Sequence, residues 1–183
     1  MSEFFIIILS GIIGYSIGSF PTAYLVSKIK GVDVFTVGSR QAGATNVWKR
    51  VSKIGGINVF IIDVTKGSTI IIIAKILGID GIMLLFPSTF SILGHWNSPF
   101  TKFRGGDGVS TLGGISIAIA PQAVLPAFFI SGILIILFSR ITLHPSLWAG
   151  IAGYSIFVLL SFFEKTNVEI ILVFGITIMF LAV

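Results

Sequence analysis

Gly55-Gly-Ile-Asn-Val-Phe-Ile-Ile-Asp63-Val-Thr-Lys66-Gly67-Ser-Thr-Ile-Ile-Ile-Ile-Ala-Lys75-Ile-Leu-Gly78 is the stretch on which the fold turns. At ~1.5 Å per residue, a helix over 55–78 is roughly 36 Å long, enough to cross a hydrocarbon layer of ~30 Å. Two charges interrupt it. A lone charge near a bilayer centre costs roughly 2.5–3.5 kcal/mol, but Asp63 and Lys66 stand three residues apart and share a helix face, where each neutralises the other. They are either an ion pair locking helices together or a polar floor under a substrate cavity, with Lys66 turned toward an anion.

The rest of the chain agrees with a membrane setting. Of 183 residues, 55% are hydrophobic and 10% charged, with a mean hydropathy of +1.06. A soluble domain carries roughly 25% charged residues, so this composition excludes one and predicts an all-α integral membrane protein with a single multi-pass domain over 1–183. Cysteine is absent, which removes disulfides and thiolate chemistry. The apolar run from Phe4 to about Ile29 lacks a basic leader and a cleavage site and reads as a retained helix. Within it Ser10, Gly14 and Gly18 form a small-residue face for close packing, and Pro21 is expected to kink its lower half. Further apolar stretches cover about 81–94, 122–139, 146–163 and 168–183, with a shorter one at 109–120 that is too short to cross alone. Breaks are expected at 78–80, Pro121, His144-Pro145 and 164–167.

Orientation follows from the cations. With about seven transmembrane helices and the N-terminus outside, Lys28, Lys30, Arg40, Lys49, Arg50, Lys53, Lys102, Arg104 and Arg140 collect on the cytoplasmic side, as the positive-inside rule requires. Six passes would move Arg140 outward. The net charge of +5 therefore speaks of orientation and anionic lipid, not of nucleic acid.

Two loops on that side hold most of the remaining polar chemistry: Val37-Gly-Ser-Arg-Gln-Ala-Gly-Ala-Thr-Asn-Val-Trp-Lys-Arg50, and the segment from His95 to Gly114 containing Phe103-Arg-Gly-Gly-Asp-Gly-Val-Ser-Thr111. Glycines that let backbone N–H groups approach an anion, with hydroxyls, amides and cations beside them, make a phosphate-binding kit; the alternative is a pair of solvated basic loops. No nucleotide P-loop and no metal-binding spacing occurs. His144, before Pro145, reads as a turn residue, and Trp48, Trp96 and Trp148 suit interface depth.

These residues resemble a known family. Gly18-Ser-Phe-Pro-Thr-Ala-Tyr-Leu-Val26, Lys30-Gly-Val-Asp-Val34, Gly38-Ser39 and Gly43-Ala-Thr-Asn-Val47 are similar to the first motif of the bacterial acyl-phosphate:glycerol-3-phosphate acyltransferases, the PlsY family. Asp63-Val-Thr-Lys66-Gly67 resembles its D-x-x-K-G, and Gly94-His95, Pro99-Phe100 and 103–111 resemble its glycine-rich second motif. The resemblance implies seven helices and two motif loops at the cytoplasmic face of the bacterial inner membrane. It implies acyl transfer from acyl phosphate to the 1-hydroxyl of glycerol 3-phosphate, giving lysophosphatidic acid and phosphate, without cofactor, metal or nucleic acid. Carried over residue by residue, it makes Ser39, Asn46, Lys49 and His95 catalytic candidates. Arg40, Gly43, Thr45, Lys66, Arg104, Gly105, Gly106, Asp107 and Gly108 become candidates for binding substrate or phosphate.

The pattern also departs. The family's G-S-G-N reads Gly38-Ser39-Arg40-Gln41, its G-G-K-G reads Gly105-Gly106-Asp107-Gly108, lysine stands at position 49 where arginine is usual, and its third motif is not found. Arg40 is the residue expected to make up the charge lost at 107. A paralogue that is non-catalytic or takes another substrate, binding a phosphorylated lipid or regulating an active relative, is the competing expectation. A small transporter using Asp63 and Lys66 as an ion site is a third. The two loops are expected to meet in space.

Overall fold

A computed structural model describes residues 2–163, and every regular element among them is helical. The helices are α1 (Glu3–Gly18), α2 (Thr22–Ile29), α3 (Ala44–Arg50), α4 (Lys53–Ile76), α5 (Leu85–Trp96), α6 (Val109–Ile119), α7 (Pro121–Phe138) and α8 (Pro145–Phe163). Short 3₁₀ turns occupy Gly81–Leu84 and Pro99–Thr101. Three segments are long and apolar enough to cross a membrane: Glu3–Ile29, Lys53–Ile76 and Pro121–Phe138. The stretch 168–183 and the break at 164–167 lie outside the described residues.

Local chemistry sets the boundaries. Ser2 caps α1, its Oγ accepting from the Phe5 amide, and Ser52 caps α4 by accepting from the Gly55 amide at 3.1 Å, so each hydroxyl satisfies an otherwise orphaned N–H. Pro121 opens α7 at a first-turn position, where its missing N–H costs nothing. Pro21 does more than kink: α1 ends at Gly18 and α2 starts at Thr22, because the ring cannot donate and clashes with the preceding turn. The 109–120 stretch folds as α6, which at eleven residues and ~1.5 Å per residue is roughly half a bilayer long.

Glycines bring the helix pairs together. A Cβ on Gly14 would meet the Pro87 carbonyl oxygen, one on Gly18 that of Ser91, and one on Gly94 that of Tyr15. The small-residue face of α1 is therefore the seam on which α5 lies. On α4 and α6 the fit is reciprocal: a side chain at Gly67 would strike the Thr111 carbonyl, and one at Gly114 that of Val64. Ser68 Oγ adds a hydrogen bond across the crossing to the Gly114 carbonyl at 2.8 Å. Backbones this close replace, with dispersion and polar contacts, the hydrophobic drive that lipid removes. α7 packs on α8 through a separate apolar cluster of Ala123, Val124, Ala127 and Phe157.

Asp63 and Lys66 face the interior, 2% and 6% exposed, with Lys66 Nζ 2.7 Å from Asp63 Oδ1. The ammonium also donates to the Phe20 carbonyl at 2.5 Å. The pair thus ties α4 to the break between α1 and α2, and the residues that look most expensive in the sequence hold the chain where Pro21 interrupts it.

Candidate functional site

The first loop is organised by one side chain. Asn46, buried in the first turns of α3, places Nδ2 within reach of the carbonyls of Val34 at 3.1 Å, Val37 at 3.1 Å and Gln41 at 2.9 Å, its two N–H groups shared among the three. Its Oδ1 accepts from the Ser39 amide at 3.3 Å. The loop curls round this hub, and the curl needs left-handed backbone at Gly38 (φ +56°) and at Arg40 (φ +59°). Glycine accepts that conformation freely; arginine does not.

The second loop is held by separate side chains, each donating to a main-chain carbonyl. Ser98 Oγ donates to the Ser19 carbonyl at 2.6 Å, Tyr15 OH to the Asn97 carbonyl at 2.8 Å, Trp96 Nε1 to the Asp107 carbonyl at 3.0 Å, and Thr101 Oγ1 to the Arg104 carbonyl. The loops then interlock. The Ala42 amide donates to the Gly105 carbonyl at 3.0 Å, and the Arg104 guanidinium stacks on the Phe35 ring 4.2 Å from its centroid while donating to the Phe35 carbonyl at 3.3 Å. A Cβ on Gly106 would fall 2.6 Å from both the Ala42 carbonyl oxygen and His95 Nε2, so the docking admits only glycine there. The 37–50 and 95–111 segments do meet.

Three cavities among the described residues bear on the site. Ser39, Gln41, Gly43, Thr45, Asn46, Asp107, Leu143 and His144 line a small polar pocket between the loops. A second, buried among Asp63, Lys66, His95, Arg104 and Gly105, lies under the α1–α2 break. The third is an apolar groove lined by Phe60, Leu112, Val124, Phe128, Ile135, Tyr154 and Phe157, with Gly113, Gly132, Gly150 and Gly153 among them. Thr45 belongs to both the polar pocket and the groove. The polar pocket and the apolar groove are therefore neighbours on either side of Thr45.

The expected residues divide among these places. Ser39, Gly43, Thr45, Asn46 and Asp107 converge on the polar pocket, and Lys66, His95, Arg104 and Gly105 on the buried one. Lys49 turns elsewhere, Nζ donating to the Ser139 carbonyl at the end of α7 at 3.1 Å. Arg40 is exposed. Gly108, in left-handed backbone (φ +77°), caps α6, and Asp107 Oδ1 accepts from the amide of Val109, the first residue of α6, at 3.2 Å. Asp107 thus puts its carboxylate where a helix start favours an anion. No group of three or more metal-ligating side chains occurs among the described residues.

A sequence model of the family described as glycerol-3-phosphate acyltransferase matches residues 8–183. The chain belongs to that family. Curated members called glycerol-3-phosphate acyltransferase include one from Aquifex aeolicus, 38% identical over 120 residues covering 65% of this chain and 62% of that protein. Another, from Hydrogenobaculum, is 35% identical over 160 residues, 84% of this chain and 79% of its own length. The chain spans about three fifths of the Aquifex aeolicus and Geobacter metallireducens members. It is also similar, at 33% identity and a TM-score of 0.82, to the crystal structure of PlsY (YgiH), an integral membrane glycerol 3-phosphate acyltransferase, in its glycerol 3-phosphate form. That likeness covers 95% of this chain and 86% of the other. A second form of that protein, with lysophosphatidic acid, matches at a TM-score of 0.77.

As a member of the glycerol-3-phosphate acyltransferase family, the chain is an integral membrane protein, and every regular element among its described residues is helical. Two site features escape a reading of the sequence. The groove is assembled from residues on α3, α4, α6, α7 and α8, so no single motif carries it. His144 stands beside Gln41, with Nδ1 3.3 Å from Oε1, and a partner 103 residues away leaves no local signal.

Proposed function

We propose that this chain transfers a fatty acyl group from acyl phosphate to the 1-hydroxyl of glycerol 3-phosphate, releasing lysophosphatidic acid and phosphate. One observation carries the reading: a polar pocket between two glycine-rich loops and an apolar groove lie side by side and share Thr45 in their walls. An acyl phosphate suits such a pair of spaces, its chain along the groove and its head toward the polar pocket, where glycerol 3-phosphate also binds. The hydroxyl oxygen bonds to the acyl carbonyl carbon, the bond from that carbon to the phosphate oxygen breaks, the hydroxyl proton departs and phosphate leaves. Because acyl phosphate carries a good leaving group, holding the reactants in line and stabilising developing charge supply most of the acceleration. Ser39 and Thr45 offer hydroxyls at the junction, and Asn46 acts through the loop it holds. The reading uses no metal, nucleotide or coenzyme A. It places the site at the cytoplasmic face of a bacterial inner membrane, with seven passes and the N-terminus outside, and the distribution of lysine and arginine supports that orientation.

The test is phosphate release by purified protein supplied with palmitoyl phosphate and glycerol 3-phosphate. Release that requires both substrates and yields lysophosphatidic acid is expected. The groove adds a second arm. A side chain at Gly132 would enter open space, so Gly132→Leu should lower the longest acyl chain accepted while short-chain transfer survives. A second reading, a member that binds a phosphorylated lipid without turning it over, is favoured by Asp107 on the α6 amide; saturable glycerol 3-phosphate binding with no phosphate release would establish it.

A further inference from the structure

His144 lies in the connection between α7 and α8, and its conformation is fixed from both sides. Its amide accepts no freedom: it donates to Thr142 Oγ1 at 3.2 Å, and Pro145 behind it restricts residue 144 to extended backbone. The ring reaches the first loop, where Nδ1 stands 3.3 Å from Gln41 Oε1. In the tautomer that donates from Nδ1 to this amide oxygen, Nε2 is left as an acceptor. The ring lines the polar pocket with Ser39, Gly43, Thr45 and Asp107. Two of the positions at which the chain departs from its family's pattern, 41 and 107, therefore share one pocket with a histidine that neither loop supplies.

We infer that His144 is a hydroxyl-binding residue of the site: oriented by Gln41, it presents Nε2 to a hydroxyl of the phosphorylated alcohol held between the loops. This rests on the reading of the pocket as a glycerol 3-phosphate site, and it extends that site to the α7–α8 connection. A carboxylate at 107 fits the assignment, since that wall is poor for a phosphate and good beside a hydroxyl.

The experiment compares affinities of the full-length protein, in detergent or nanodiscs, for glycerol 3-phosphate and for its two monodeoxy analogues. Acyl transfer is measured separately on the same samples. Wild type should bind glycerol 3-phosphate about tenfold more tightly than one of the analogues, the range expected when a buried hydrogen bond loses one partner. His144→Ala should bind that pair equally. His144→Gln, which keeps an acceptor at similar reach, should restore part of the preference, and Gln41→Leu should reduce it. A wild-type preference that survives in His144→Ala overturns the inference, as does a loss of affinity for all three ligands in equal proportion, which marks a structural role. Absence of glycerol 3-phosphate binding by wild type overturns both the inference and the reading beneath it. Binding with the expected preference but no phosphate release overturns acyl transfer alone.

Discussion

The two loops of the site are built on opposite plans. The first, 34–46, hangs on one side chain: Asn46 satisfies three carbonyls and one amide. The second, 97–108, has no such hub. It is secured by separate contacts from Tyr15, Trp96, Ser98 and Thr101, and by glycines pressed against carbonyl oxygens. A hub concentrates cost in one residue, whereas a distributed loop spreads it over positions that tolerate no added atom. The difference also sorts the substitutions this chain has accepted. Arg40 and Gln41 sit on the outside of the hub, where a side chain has room. In the second loop the departure from the resembled motif falls at position 107, between Gly106 and Gly108.

Breaking the hub should give the largest effect. Asn46→Ala leaves three loop carbonyls and the Ser39 amide without partners, so unfolding in detergent should reveal a loss of about 3–4 kcal/mol, together with loss of glycerol 3-phosphate binding. A loss under about 1 kcal/mol would mean that the loop is held by other contacts and would remove the contrast. Gly106→Ala should cost less, about 1–3 kcal/mol, through overpacking against Ala42 and His95. Its signature is a larger fall in affinity than in stability, because the clash separates the loops without unfolding either.

Asp107→Asn sharpens the comparison further down the scale. The amide oxygen can still accept from Val109, so the start of α6 survives, while the negative charge disappears. Phosphate affinity should rise about three- to tenfold at low ionic strength and less in high salt, and Asp107→Lys should carry the trend further. Weakened binding in both variants would show that the carboxylate serves the ligand directly. Smallest is Arg40→Gly. Left-handed backbone costs a residue with a side chain about 1–2 kcal/mol, part of which glycine returns as chain entropy when unfolded. Thermal or chemical unfolding should therefore report a net gain of about 0.5–1 kcal/mol.

Much of this architecture is legible in the sequence because its cause is local. The apolar run 55–78 dictates α4, the spacing of Gly14 and Gly18 dictates a close seam, and Asp63 with Lys66 at i, i+3 dictates an interior pair. Other features are set by residues distant in sequence. The carbonyls that Gly14 and Gly18 meet belong to Pro87 and Ser91, which periodicity cannot name. Pro21 reads as a kink, and what fixes the break lies far away in the sequence: Lys66 reaches back 46 residues to the Phe20 carbonyl. Among site residues, the glycines and Thr45 can be placed on the loops by motif, yet the hub role of Asn46 emerges only once 34–41 folds back over α3. Lys49 looks like a site cation in the sequence and turns to Ser139 in the fold, since a helical residue's direction follows from the face it occupies.

The seam between α1 and α5 also bears on the order of assembly. α5 has twelve residues, too few to settle across a bilayer unaided, and its Pro87–Ser91 face is matched by Gly14 and Gly18 of α1, which lie directly against it. A ribosome delivers α1 first. The early helix therefore serves as a docking rail for the late one, and a bulky residue at Gly18 would act during biogenesis, leaving α5 stranded at the membrane surface before any site exists to be tested.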